Sequence, residues 1–202
     1  MYGTNNWAQR FRRRNSEFNS ISSRSVDYPA LGRRRGSVRG VSTERQRTYT
    51  WNDPTPIAEA NRNLSGLEFV RGLVDGTVPH HPTASTLGFR VTDAREGFVE
   101  ITAEPQEWQY NAVGSVHGGV IATMIDTAMG FSVSSTLPAG VGYTTLDITV
   151  RYIRGVKGDG GPIRVHGYSE HTGRTTATAR AEVRDEQDRL LATASTTCLI
   201  LR

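Results

Sequence analysis

The sequence predicts an α+β domain in which an antiparallel sheet wraps around one long, buried helix. Residues 118–135 are almost wholly apolar and have the length of a helix of roughly five turns. A helix that is apolar on every side belongs in the interior of a protein. Two strand-like segments precede this helix and four follow it, which is the order expected of a sheet packed around a single helix.

The remaining elements follow from periodicity and turn residues. Residues 54–75 contain one or two amphipathic helices, residues 76–82 form a loop, and residues 106–110 connect the second strand to the central helix. The predicted strands are 86–94, 97–104, 144–154, 162–171, 175–183 and 190–201.

Two strands show which face meets the helix. In residues 144–154, apolar side chains alternate with polar ones and share one face: Leu146, Ile148, Val150 and Tyr152. In residues 175–183 the corresponding face is made mostly of alanine. Such small side chains allow the sheet to lie close to the helix.

The first 50 residues differ from the rest of the chain. They carry eleven arginines and three acidic residues, a net charge of +8, whereas the remainder has a net charge of −4. Their apolar residues show no period, which predicts a disordered basic tail (1–50) before a folded domain (51–202). The arginine runs 12–14 and 33–35 could contact nucleic acid, but a solvated tail or a start codon assigned too far upstream is the favoured interpretation.

Composition excludes several classes of protein. No apolar run approaches the roughly 20 residues that span a bilayer, and the N-terminus lacks the apolar core of a secretory signal. Cys198 is the only cysteine, so no disulfide or thiolate metal site is expected. His80 and His81 lack a third ligand nearby and are expected in a solvent-exposed loop. We therefore expect a cytoplasmic protein without a metal or cofactor.

Asp126 is the strongest candidate for chemistry. A carboxylate inside an apolar helix is costly unless it is paired or used, and no basic residue lies three or four positions away. Gly118 begins the same helix, where its backbone N–H is free and lies at the positive end of the helix dipole. The helix thus combines an acid with a donor suited to a developing oxyanion.

A wider pattern resembles a known family. Asn111 is followed by Gly114, by His117-Gly118-Gly119, by Asp126 and then by TLDITVRYIRG at 145–155. This arrangement resembles the hotdog-fold acyl-CoA thioesterases of the phenylacetic-acid-degradation (4-hydroxybenzoyl-CoA thioesterase-like) type, over residues 55–201.

The resemblance implies a site and a reaction. It assigns to the site Asn111, His117, Gly118, Asp126 and Thr145, although strand alternation places Thr145 with the outward-facing Asp147 unless the strand is locally twisted. Asp126 would be the general base or nucleophile, and Gly118 N–H the oxyanion donor. Asn111 and Thr145 would orient water or substrate, and His117 would hydrogen-bond near the reacting carbon. Apart from the resemblance, the cations Arg151, Arg154, Lys157 and Arg174 could hold the coenzyme A phosphates, and ordinary surface charge is an equal alternative for each of them.

The spacing of His117 and Asp126 predicts a dimer. Nine residues of helix give about 13.5 Å of rise and about half a turn of net rotation, so the two side chains cannot meet within one chain. A homodimer with two shared sites would bring them together, as the family resemblance also implies. A dimer of such dimers, a homotetramer, stays open.

Two other functions remain alternatives. A hotdog enoyl-CoA hydratase would pair Asp and His five residues apart near the helix start, and this pair is missing. A non-catalytic acyl-CoA sensor would bind DNA through the basic tail. Asp126 and the lack of a helix-turn-helix pattern in residues 1–50 argue against it. The acyl group itself is not specified by the sequence.

Overall fold

Six antiparallel strands surround one helix, as the sequence predicts. The structure is a computed structural model that describes residues 44–202, and Arg47–Arg202 form one compact unit. The predictions for the rest of the basic tail, including both arginine runs, concern residues 1–43 and lie outside the described residues. None of the helices in residues 44–202 has the length and apolar character needed to cross a bilayer.

The helices and strands follow the predicted order, with one additional short helix before the first strand. The helices are α1 (Pro54–Asn63), α2 (Gly66–Asp75), α3 (Pro82–Leu87) and α4 (Gly118–Ser134), and a short 3₁₀ turn covers Glu107–Gln109. The strands are β1 (Phe89–Arg95), β2 (Phe98–Ala103), β3 (Gly142–Tyr152), β4 (Ile163–Thr172), β5 (Thr176–Arg184) and β6 (Leu190–Leu201). Their order across the sheet is β1-β2-β4-β5-β6-β3, so β3 lies at one edge.

Helix α4 is the centre of the core and contacts all six strands. Its side chains Met124, Ile125, Ala128 and Met129 are almost completely buried. The alanine face of β5 is buried as predicted. Gly167 of β4 lies so close to α4 that an added Cβ would overlap the backbone carbonyl of Ala128. Small residues therefore set the distance between the sheet and the helix.

The predicted end of the loop at residue 82 and the predicted start of the first strand at residue 86 are both wrong. Residues 82–87 form helix α3 instead, and β1 begins at Phe89. Pro82 stands at the first helical position, where its missing N–H costs nothing, and Gly88 ends the helix in the left-handed conformation with φ 71°. His81 caps the helix, because its Nδ1 accepts a hydrogen bond from Ala84 N at 3.3 Å. His80 and His81 are both half-buried, so the solvent-exposed loop expected for them is not observed.

Strand β3 departs from simple alternation at Leu146. A β-bulge lies between Thr145, which pairs with Cys198, and Asp147, which pairs with Thr197. Leu146 is the extra residue and is 58% exposed, so its predicted place on the inner face is wrong. Ile148 and Val150 do face inward. The bulge reverses the parity of the residues before it and turns Thr145 toward α4.

The folded domain begins slightly before residue 51, because Arg47 already packs against it. The Arg47 guanidinium lies 3.4 Å from the centroid of the Trp108 ring and donates to the carbonyl of Thr86 at 2.8 Å. Residues 44–53 have no regular secondary structure. A truncation intended to leave the fold intact should therefore retain Arg47.

The close approach at Gly167 gives a test of the packing. Gly167→Ala should lower the free energy of unfolding by about 2 kcal/mol, because the methyl group has no space beside rigid backbone. Gly142→Ala is the matched control, because a Cβ there would meet only Leu201 Cβ at 3.8 Å. Chemical denaturation measures both. Equal stability of the two variants would contradict the close contact between β4 and α4.

His80 and His81 give a prediction on pH. Burial lowers the pKa of both imidazoles below the ordinary 6.5; Arg90 adds to the effect at His80, and His80 adds to it at His81. Below pH 6.5 the unfolded chain therefore binds protons that the folded protein resists, so stability should fall as the pH decreases from about 7.5 to 5.

His80→Leu should flatten that pH dependence. His80 Nδ1 is the one buried side-chain nitrogen or oxygen without a hydrogen-bond partner within residues 44–202, so its removal breaks no described bond. Melting temperatures of the wild type and the variant across this pH range provide the measurement. Parallel curves would show that His80 is not responsible.

Candidate functional site

Asp126 and Thr145 meet on the inner side of the sheet edge. Thr145 Oγ1 donates a hydrogen bond to Asp126 Oδ1 at 2.9 Å. Both residues are half-buried. Strand alternation alone would turn Thr145 away, and the bulge at Leu146 is what brings its hydroxyl to α4. The contact fixes Oδ1 of the carboxylate, and Oδ2 is the oxygen that could accept a proton or attack a ligand.

The Asp126 carboxylate lines a cavity of about 480 Å³. Its lining residues come from α4, from the first residues of β3, and from α1, α2 and the start of α3. The lining is mainly apolar: Pro54, Ile57, Ala58, Phe69, Pro82 and Phe131. The cavity is therefore suited to an apolar group attached to a reacting carbon near Asp126.

Two cavity residues were missed by the sequence analysis. The His81 ring packs edge-on against Phe131, with the ring centroids 5.8 Å apart. Tyr143 lies against α4 at Gly130, where any side chain would overlap its hydroxyl. Burial raises the pKa of the Tyr143 phenol above its usual range, and Cys198 and Asp126 add to the shift, so the hydroxyl stays protonated. Pro82 after His81 and the glycine inside an apolar helix were the only sequence signals.

The start of α4 carries His117 and Gly118, as predicted. His117 is the N-cap, and its Nδ1 accepts a hydrogen bond from Gly119 N at 2.9 Å. The neutral ring therefore holds its proton on Nε2. Across residues 44–202, no hydrogen bond from the Gly118 N–H is recorded. This donor at the positive helix end is available to an anionic oxygen.

Asn111 shapes the loop before the helix. Its Oδ1 accepts from the backbone N–H groups of Val113 and Ser115, at 3.0 and 3.2 Å, and its Nδ2 donates to Ser115 Oγ at 3.0 Å. Gly114, in the left-handed conformation with φ 78°, completes the turn. Within one chain Asn111 acts as a turn residue, and its contact with water or substrate stays a prediction.

The structure separates the site residues into two groups. Asp126 and Thr145 line the cavity, whereas Asn111, His117 and Gly118 are not part of its lining. Asp126 lies eight positions after Gly118 along the regular helix, a rise of about 12 Å. One chain therefore does not bring the acid and the oxyanion donor onto one small group.

The four predicted phosphate-binding cations are also divided. Arg154 and Lys157 line a hollow of about 240 Å³, together with Asp159 and with Arg189, which is ion-paired to Asp185. Val116 N donates to Val156 O at 2.8 Å, which joins this loop to the start of α4. Arg151 is exposed on β3.

Arg174 does not join the other cations. Its carbonyl accepts from Arg202 Nε beyond the end of β6, while Arg154 donates to the carbonyl of Leu190 at the beginning of β6. The strand between them is roughly 35 Å long. A single phosphate-binding cluster of all four cations is therefore not formed within one chain.

Strand β3 forms one edge of the sheet, and within residues 44–202 it pairs only with β6. Leu146 and Tyr152 of this strand, and Ile153 just beyond its end, are each about half exposed. A strand edge with unpaired backbone groups and apolar side chains is a surface that folded proteins normally cover.

The sequence match to a family model includes His117, Gly118, Asp126 and Thr145 and begins after Asn111. Residues 113–192 match the family model of the thioesterase superfamily. Over 92 residues the chain is 39% identical to a proposed esterase of Halobacterium salinarum. That match covers 43% of this chain and 61% of the relative, so the chain spans less than two thirds of the relative's length.

Solved structures share the fold. The PaaI protein of the phenylacetic acid degradation operon of Escherichia coli matches with a TM-score of 0.60 and 20% identity, over 69% of this chain and 97% of that chain. A thioesterase of Haemophilus influenzae matches with 0.56 and 23%, over 59% and 82%. A Streptococcus mutans protein bound to acetyl-CoA matches with 0.52 and 28%, over 56% and 89%. The chain therefore has the hotdog fold of these solved structures, and its match to the superfamily model extends from Val113 to Ala192.

Proposed function

We propose that this protein hydrolyses acyl-CoA or aryl-acyl-CoA thioesters to a free acid and coenzyme A. The observation that carries the proposal is the Asp126 carboxylate, held by Thr145 at the wall of a mainly apolar cavity. The same helix presents an unused N–H at Gly118. The thioesterase superfamily match supports the reaction class.

The proposed chemistry uses these groups in a simple order. Asp126 takes a proton from water, and the resulting hydroxide attacks the thioester carbonyl carbon. Direct attack by the carboxylate would instead form an acyl-enzyme anhydride that water then cleaves. In both routes the carbonyl oxygen becomes anionic and accepts from Gly118 N–H. The intermediate collapses with release of the coenzyme A thiolate, a good leaving group because thiols have a pKa near 8.5.

The coenzyme A portion would lie near the start of α4. Arg154 and Lys157 bring two positive charges to the hollow beside that helix end, where they would face the phosphates. The Streptococcus mutans protein was solved with acetyl-CoA, which supports this ligand class for a chain 28% identical to it. Arg151 would add a third charge from β3, and Arg174 could reach the same phosphates only from a second subunit.

A homodimer would complete the site. Asp126 and Gly118 are separated along one helix, so a shared thioester requires each subunit to supply one of them. The uncovered edge of β3 provides an apolar surface for such an assembly. A dimer of dimers remains compatible with this arrangement, and the cytoplasm stays the proposed location.

Thiol release tests the proposal directly. The wild-type protein is offered a panel of short, medium, long and aryl-acetyl CoA thioesters, and free thiol is measured. Asp126→Asn should lower kcat by about 100-fold or more, because the general base or nucleophile is lost. Asp93→Asn makes the same chemical change on β1, at the other edge of the sheet, and should leave kcat unchanged.

The outcomes separate the alternatives. Tight binding of acyl-CoA without thiol release would favour a non-catalytic sensor, and hydration of an enoyl-CoA without thiol release would favour a hydratase. Thiol release by an Asp126→Asn variant at more than about half the wild-type kcat would remove Asp126 from the mechanism.

A further inference from the structure

One peptide unit next to the proposed oxyanion donor is held at both of its ends. The N–H of Gly119 donates to His117 Nδ1 at 2.9 Å, and the carbonyl of Gly118 accepts from the Tyr152 hydroxyl at 2.7 Å. These two atoms belong to the same peptide bond. Rotation of this peptide plane would break both contacts. The backbone of Gly118 is therefore restrained, and with it the direction of the Gly118 N–H.

Tyr152 reaches this peptide from another element. It is the last residue of β3, on the inward-facing side with Ile148 and Val150. Its ring lies against Gly118, where an added Cβ would be 3.1 Å from the phenol oxygen. A side chain at 118 would therefore push the Tyr152 phenol away by a few tenths of an ångström.

Tyr152 contacts the helix although about half of its surface is exposed to solvent. The residue is 52% exposed, yet its hydroxyl points to the helix carbonyl and not to solvent. Partial burial raises the pKa of the phenol above its ordinary 10.0, so Tyr152 stays a protonated donor at neutral pH. The hydroxyl can therefore keep the Gly118 carbonyl occupied throughout a reaction.

We propose that Tyr152 is a positioning residue, which holds the Gly118–Gly119 peptide so that the Gly118 N–H is aimed at the thioester oxyanion. The inference rests on the proposed thioester hydrolysis. Strand β3 would then position both proposed catalytic groups of its chain: Tyr152 acts on Gly118, and Thr145 orients Asp126. Donors to an oxyanion must be held to within a fraction of an ångström, since their value lies in being preorganised.

Tyr152→Phe removes only the hydroxyl. We expect kcat for thiol release to fall about three- to ten-fold, the range for loss of one hydrogen bond, with KM nearly unchanged. The melting temperature should change little, because the ring remains and is half exposed. Tyr168→Phe is the matched control: Tyr168 lies on β4, on the face away from α4, under the Arg180 guanidinium at 4.1 Å.

A pair of non-hydrolysable ligands distinguishes positioning from binding. A trifluoromethyl-ketone analogue of the substrate forms a tetrahedral hydrate that resembles the reaction intermediate, whereas a thioether analogue has no oxyanion. Tyr152→Phe should weaken the first by the same factor as kcat and leave the second unchanged. Hydrogen exchange at the Gly119 amide should accelerate in this variant and not in Tyr168→Phe.

The results that overturn the proposal are separable from failure of the proposed function. If the wild type releases no thiol from any thioester, the hydrolase proposal fails and the role of Tyr152 fails with it. If the wild type is active, unchanged kcat in Tyr152→Phe overturns the role of Tyr152 alone. Equal weakening of both analogues also overturns it, because Tyr152 would then contribute to ligand binding and not to positioning.

Discussion

The candidate site depends on one hydrogen bond between the sheet and its central helix. Thr145 Oγ1 donates to Asp126 Oδ1, and this contact exists because a bulge at Leu146 reverses the facing of the strand. Without the extra residue, Thr145 would face outward and the carboxylate would lose its described partner. One β-bulge in an edge strand therefore determines which side chain hydrogen-bonds to the proposed catalytic acid.

Strand β3 combines three properties that are usually separate. It orients Asp126 through Thr145, it contacts the start of α4 through Tyr152, and within residues 44–202 its other edge is unpaired. In the proposed dimer these two contacts of one strand belong to two different sites, because each site takes Asp126 from one subunit and Gly118 from the other. The proposed chemistry and the proposed dimer thus depend on the same eleven residues of chain.

The sequence predicts the fold well because α4 is a long, almost wholly apolar segment and because alanine alternates with polar residues along β5. It fails where a single local feature overrides the period. Helix α3 is too short for periodicity to reveal, although Pro82 and Gly88 mark its ends. The bulge at Leu146 leaves no pattern, so Thr145 could be proposed only by resemblance to a family. The roles of His81, Tyr143 and Tyr152 depend on contacts between residues far apart in the chain, which no spacing encodes.

The central claim is that Asp126 of one subunit and Gly118 of the other act on one thioester. Subunit mixing tests it most directly: Asp126→Asn and Gly118→Val are made as separate inactive, folded proteins and are then exchanged into mixed dimers. Random pairing makes about half of the dimers mixed, each with one intact site, so about a quarter of wild-type activity should return. If mass spectrometry shows mixed dimers and no activity returns, the two groups do not act across subunits and the account is wrong.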